Sequence, residues 1–125
     1  EMPQIAENMI DVNHWYDPSS ASGQAMRTRT ESDGKYFTFE VYCAYMSILF
    51  LVDGFERAGS TDKEAVNAAL ASSTLDIDFM PYGPTKMVNG QNMGSRAVAI
   101  QAQKGDVQVI APSAYASASA IFPRS

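Results

Sequence analysis

The pattern of apolar and polar positions is most extreme between Val41 and Val52, where only Ser47 interrupts an otherwise apolar run. The run is shorter than the ~20 residues needed to cross a bilayer. It is also too long for an ordinary strand, so it predicts a helix buried on all sides. Beyond Val52 the pattern becomes one-sided. Phe55 and Ala58 keep the apolar spacing, while Asp53, Glu56 and Arg57 face water. Gly59 supplies the left-handed position that commonly ends a helix. Thr61-Asp62-Lys63-Glu64 follows in the form of a capping box, with the Thr61 hydroxyl as the cap. A second helix is therefore predicted from Asp62 to about Ser73, burying Ala65, Val66, Ala69 and Leu70.

Upstream, Pro3 to Asn8 reads as a short helix. Met9, Ile10, Val12 and Trp15 form a brief apolar run ahead of Asp17-Pro18, the signal of a buried strand. Tyr16 to Ser20 should turn, with Ser20 as an N-cap. Ala21 to Ser32 is polar and predicts a surface helix, with Ala25 and Met26 turned inward and Asp33-Gly34 at its end. Tyr36 to Phe39 should be extended. After Ser73, Leu75, Ile77 and Phe79 alternate with Asp76 and Asp78, and Pro81, Gly83 and Pro84 bar a helix. Thr85 to Val88 predicts a strand before the turn dipeptide Asn89-Gly90. Val98, Ile100 and Ala102 alternate with Ala97, Ala99 and Gln101, and Val107 and Val109 with Asp106 and Gln108. Lys104-Gly105 lies between the two runs, which marks a hairpin. The Ala/Ser-rich tail from Ser113 should lie as an irregular strap over the surface. A helix-rich part, about 1–79, thus precedes a strand-rich part, about 80–125, and the class is α/β or α+β.

Composition narrows the functional classes. A net charge of −5 opposes binding to nucleic acid, which requires a basic face, and to an anionic membrane surface. The single cysteine, Cys43, allows neither an intramolecular disulfide nor a cysteine metal site. Set within the apolar run, it reads as a small core residue.

Little points to catalysis. His14 is the only histidine, no G-x-S-x-G nucleophile elbow is present, and there is no glycine-rich phosphate loop. Asp76 and Asp78 share a face of an extended segment, which reads as a solvated edge rather than a metal pair. An enzyme is not expected, and no cofactor is implied. Binding has more support. The predicted strand runs into Asn13-His14-Trp15, and ligands of open α/β folds lie outside the carboxyl ends of strands. Phe37, Phe39 and Tyr42 lead into the apolar helix, as core or as ligand contacts.

The same residues carry a resemblance. A Leu/Val-rich helix end is followed by Glu56-Arg57-Ala58-Gly59-Ser60-Thr61-Asp62, then by Glu64-Ala65-Val66 with Ala68-Ala69-Leu70. Further on come Tyr82-Gly83-Pro84, Asn89-Gly90-Gln91-Asn92 and the strand Arg96 to Gln101. In this order and spacing the motifs resemble the C-terminal region of type I periplasmic solute-binding proteins, the ligand receptors of branched-chain-amino-acid-type ABC importers. Two places depart from that pattern. Ala44-Tyr45-Met46 stands where the family usually has Tyr-Asp-Ala, and Lys86-Met87-Val88 stands where it often has Phe-Asp, so no acid is available there.

The resemblance implies an α/β fold. The chain would correspond to the C-terminal third of a two-lobed protein, with any signal peptide far upstream of Glu1-Met2-Pro3-Gln4. It implies an extracytoplasmic or periplasmic receptor that closes by a hinge on an amino acid or similar small polar or aromatic compound and docks on an ABC permease. The ligand-contact candidates are Asn13, His14, Trp15, Phe37 and Tyr42, with Phe37 the best match to an aromatic that lines the family's cleft. Two other readings remain open: a ligand-sensing domain of a receptor or regulator with the same fold, and a free-standing small α/β enzyme or oligomerisation domain. A fragment lacking its other lobe should bury its apolar helix against another copy, as a homo-oligomer.

Overall fold

The computed structural model describes residues 6–122. Among the described residues, the first half of the chain is dominated by three helices: α1 (Ala21–Ser32), α2 (Phe39–Ala58) and α3 (Lys63–Ala71). Four of the five strands follow: β2 (Met87–Val88), β3 (Gln91–Asn92), β4 (Val98–Gln103) and β5 (Asp106–Ala111), while β1 (Ile10–Asn13) precedes the helices. The class is mixed α/β, with small antiparallel sheets. One sheet has the order β1-β4-β5, and β2 pairs with β3 in a separate hairpin. The expected helix from Pro3 to Asn8 lies partly outside the described residues.

Local chemistry explains most boundaries. The Ser20 hydroxyl accepts from the Gly23 N–H at 3.0 Å and opens α1, satisfying one of the donors that a helix start leaves free. α2 ends where Gly59 adopts φ 59° and returns its N–H to the carbonyls of Phe55 and Glu56. The next cap is not Thr61. The Asp62 carboxylate accepts from the N–H groups of Glu64 and Ala65, both at 3.1 Å, and Ser60 Oγ accepts from Asp62 N. The cap thus lies one residue later than expected and no capping box forms, since Ala65 stands at the third helical position; a carboxylate beside the turn reaches the first free donors and also favours the positive end of the helix. α3 then folds back on α2. Arg57 bonds to Asp53 and to the Ala69 carbonyl, and Gly54 leaves room for Leu70.

The core is a cluster of Trp15, Tyr16, Met26, Tyr42, Phe79, Met80, Val98 and Val109. α1 contributes Met26 and Gly23 to buried positions, while Ala25 is exposed. From α2, Tyr42 is buried, and Cys43, Met46 and Leu49 pack against the cluster partly covered. The opposite face is not covered. Tyr45, Ile48, Leu51, Val52 and Phe55 are between 43% and 59% exposed, so α2 is not buried on all sides. Its apolar run is continuous in sequence, but only one side meets the cluster and α3. The predicted strand at Met9–Val12 also forms without being buried: Met9, Ile10 and Val12 are all exposed. β1 is an edge strand with β4 on one side, and it pairs Ile10 with Gln101 through Asn13 with Val98.

The hairpin of β4 and β5 turns at Lys104 (φ 54°) and Gly105 (φ 78°), the left-handed pair that suits a two-residue connection. Opposite Ala99 and Ile100, β5 carries one extra residue, Ile110, because Ala99 pairs with Ala111 and Ile100 with Val109. Beyond this point, Gln101 and Gln103 are buried, while Ile100 and Ala102 are half-covered. This reverses the in-and-out order expected from the alternation of Val98, Ile100 and Ala102. The inward amides hold the tail. Gln101 donates to the carbonyls of Asn8 and Ile121 and accepts from the Ile121 N–H, while Gln103 donates to Gln101 and to the Ser119 carbonyl. The strap expected from Ser113 onward therefore lies against the sheet, with Ser117 bonded to Val109.

Candidate functional site

A hollow of about 520 Å³ opens where four separate segments meet. The end of β1 brings Asn13 and Trp15, and the connection into α2 brings Tyr36 to Phe39. α1 brings Arg27 and Glu31 from one side, and the β4–β5 turn brings Asp106 and Val107 from the other. The aromatic wall is ordered by ring packing. Trp15 and Phe37 meet edge-to-face with centroids 5.4 Å apart, and Phe37 meets Tyr16 in the same manner at 5.3 Å. Such edge-to-face arrangements place the positive ring edge against the negative face. Trp15 is almost wholly buried, Phe37 is half-buried, and Tyr36 stands exposed at the rim.

The polar side of the hollow is an ion-pair network. Arg27 Nε donates to Glu31 at 2.8 Å, one turn along the same helix, and its second nitrogen donates to Asp106 at 2.7 Å across the hollow. The hydrogen bond it donates to Asp106 holds the guanidinium well above its ordinary range despite the opposing effect of burial, with Glu31 and Tyr16 adding to it. This bond also ties α1 to the hairpin turn, so the rim is clamped at its polar end.

Among the five residues singled out from sequence, Asn13, Trp15 and Phe37 meet in this hollow. His14 is exposed and does not line it; its neighbour Asn13 accepts from its backbone N–H at 2.8 Å, and the alternation of the strand turns it away. Tyr42 is 1% exposed in the core, its hydroxyl 3.4 Å from that of Tyr82. Burial raises the Tyr42 phenol well above its usual range, so it serves as a packed neutral group rather than a cleft wall. Phe39, read as core or ligand contact, lines the hollow and is partly exposed.

Arg27, Glu31, Asp106 and Tyr36 were not found from sequence. The four-residue spacing of Arg27 and Glu31 signals an ion pair on one helix, and an acid directly after Lys104-Gly105 signals a carboxylate at a hairpin tip. Nothing in the pattern signals that the tip meets the helix. A second hollow, about 300 Å³, lies by α2 and is lined by Met46, Phe50, Tyr82 and Thr85, without a charged group. Among the described residues no group of three or more His, Cys, Asp or Glu side chains is placed to hold a metal ion, and no helix is long and apolar enough to cross a membrane. The chain matches no model of a known protein family, and no curated protein matches it.

Proposed function

We propose that this chain is part of a two-lobed solute-binding receptor of the type I periplasmic class, and that the hollow beside Trp15 is its share of the solute cleft. The observation that carries this reading is convergence. Asn13, Trp15 and Phe37, chosen as ligand contacts from the strand end and the helix approach, come together around one opening large enough for a small organic molecule. The working cycle is binding and hinge closure, followed by docking on a permease, with no bond made or broken. The location that goes with this reading is extracytoplasmic.

The test uses the native gene product. Its intact mass should be about three times that of this chain (the family-length expectation behind this reading). Trp15→Ala and Phe37→Ala should each weaken its solute binding by about tenfold or more, the order of one aromatic contact. A native product no larger than this chain, or binding untouched by both substitutions, overturns the reading. By itself the 125-residue chain should show no micromolar affinity for amino acids, because one wall of a cleft leaves most of a ligand in water.

A further inference from the structure

We infer that the hollow beside Trp15 selects organic cations, a primary or quaternary ammonium group carried on an aromatic or aliphatic body, over carboxylates of the same shape. This rests on reading the hollow as a solute site and names the ligand class for it.

The charges decide the sign. Among the described residues that line the hollow, Arg27 is the one cation, and Glu31 and Asp106 are the two anions. Arg27 is already committed to both, at 2.8 and 2.7 Å. An incoming carboxylate therefore meets a guanidinium whose charge is already opposed by two carboxylates, in a lining of net negative charge. An incoming ammonium meets the reverse. Glu31 and Asp106 bind Arg27 through one oxygen each, Glu31 Oε1 and Asp106 Oδ1. The other oxygens, Glu31 Oε2 and Asp106 Oδ2, take no hydrogen bond among the described residues. Both side chains line the opening and are close to half exposed, at 49% and 43%.

The walls suit the same ligand. Trp15, Tyr36, Phe37 and Phe39 bring four aromatic rings to one opening, and aromatic rings attract ammonium groups through their quadrupoles. Ile100 and Val107 complete an apolar floor for the body of the molecule. The chain as a whole carries −5, which raises the local concentration of cations further.

Trp15 is the only tryptophan, so its fluorescence reports directly on this hollow. The test titrates the chain to millimolar concentrations with three probes of one shape: phenethylammonium, 2-phenylethanol and 3-phenylpropanoate. The expected result is that phenethylammonium perturbs Trp15 at concentrations about tenfold lower than 3-phenylpropanoate, with the alcohol between them. Glu31→Gln, on an exposed helix face, and Asp106→Asn should each reduce that preference, and high salt should reduce it as well. If 3-phenylpropanoate or the alcohol binds as well as the cation, cation selection is overturned while the solute site stands. If none of the three perturbs Trp15, both the ligand class and the site itself are overturned.

Discussion

Gly23→Ala separates the packing described above from helix propensity alone, because the two demand opposite signs. Gly23 lies inside α1, and in an isolated helix alanine would be favoured there by ~0.5–1 kcal/mol. In the folded chain the added Cβ would lie 2.5 Å from Tyr16 Cδ2, 2.5 Å from Ser20 Oγ and 3.1 Å from Phe79 Cβ. The first is part of a buried ring and the last is fixed to its own main chain, so neither has a free rotamer into which to retreat. Overpacking of this kind costs ~1–3 kcal/mol. Displacing Ser20 also weakens the cap it gives Gly23 N–H, worth a further ~0.5–2 kcal/mol. After allowance for the propensity gain, the expected loss is about 1–4 kcal/mol. Urea denaturation followed by far-UV circular dichroism reads this as a lower midpoint at unchanged slope. Thr28→Ala, exposed on the same helix, should stay within about 0.5 kcal/mol of the parent. A midpoint raised by Gly23→Ala would mean that α1 does not seat its first turn on Tyr16 and Phe79, and the geometry of the neighbouring hollow would fall with it.

Asp62→Ala should cost ~0.5–2 kcal/mol by removing the α3 cap, while Thr61→Ala should change stability by less than about 0.5 kcal/mol; equal losses in denaturation would restore Thr61 as the cap. The Cys43 thiol, pushed up by burial and then by the nearby Glu40 charge, should react with iodoacetamide at pH 8 more slowly than a cysteine in an unfolded peptide, since the thiolate is the nucleophile; an equal or faster rate would contradict its partly covered position. The half-exposed stripe of Tyr45, Ile48, Leu51, Val52 and Phe55 should make the chain self-associate, and Ile48→Glu should lower the weight-average mass in sedimentation without loss of helicity. A parent chain that sediments as a monomer refutes that expectation.

Local chemistry was legible in the sequence, and relations across distance were not. Ser20, Asp33-Gly34 and Gly59 mark their helix ends within a residue or two because caps and left-handed positions are decided by neighbours. The Asn89-Gly90 and Lys104-Gly105 turns are legible for the same reason: both pairs take positive φ. Thr61 misled because two adjacent residues can both cap, and only geometry chooses between them. The apolar run of α2 does state that the helix is hydrophobic, but whether every side has a neighbour is a property of the assembly. The glutamines of β4 failed for a sharper reason. Val98 and Gln101 are both buried although three positions apart, so β4 does not keep one alternating face inward, and the polarity of Gln101 and Gln103 hides the amide bonds that make their burial possible. At the candidate site, Asn13, Trp15 and Phe37 were readable as aromatic and polar groups at a strand end and a helix approach. Arg27 and Asp106 lie 79 positions apart in sequence, and only the folded chain shows them as partners.

The amide of Gln101 offers one donor and one acceptor to the main chain at Ile121, the same pair that a peptide unit offers along a sheet edge. Such an anchor is blind to side chains. It requires an extended backbone and an N–H, so position 121 can vary widely but cannot become proline. It is equally blind to ownership. A stretch from a neighbouring molecule presents an identical backbone, and concentration then decides which one occupies the berth. The backbone at Ile121 is held as a lodger rather than as a fixture, and the residue that holds it would accept a stranger on the same terms.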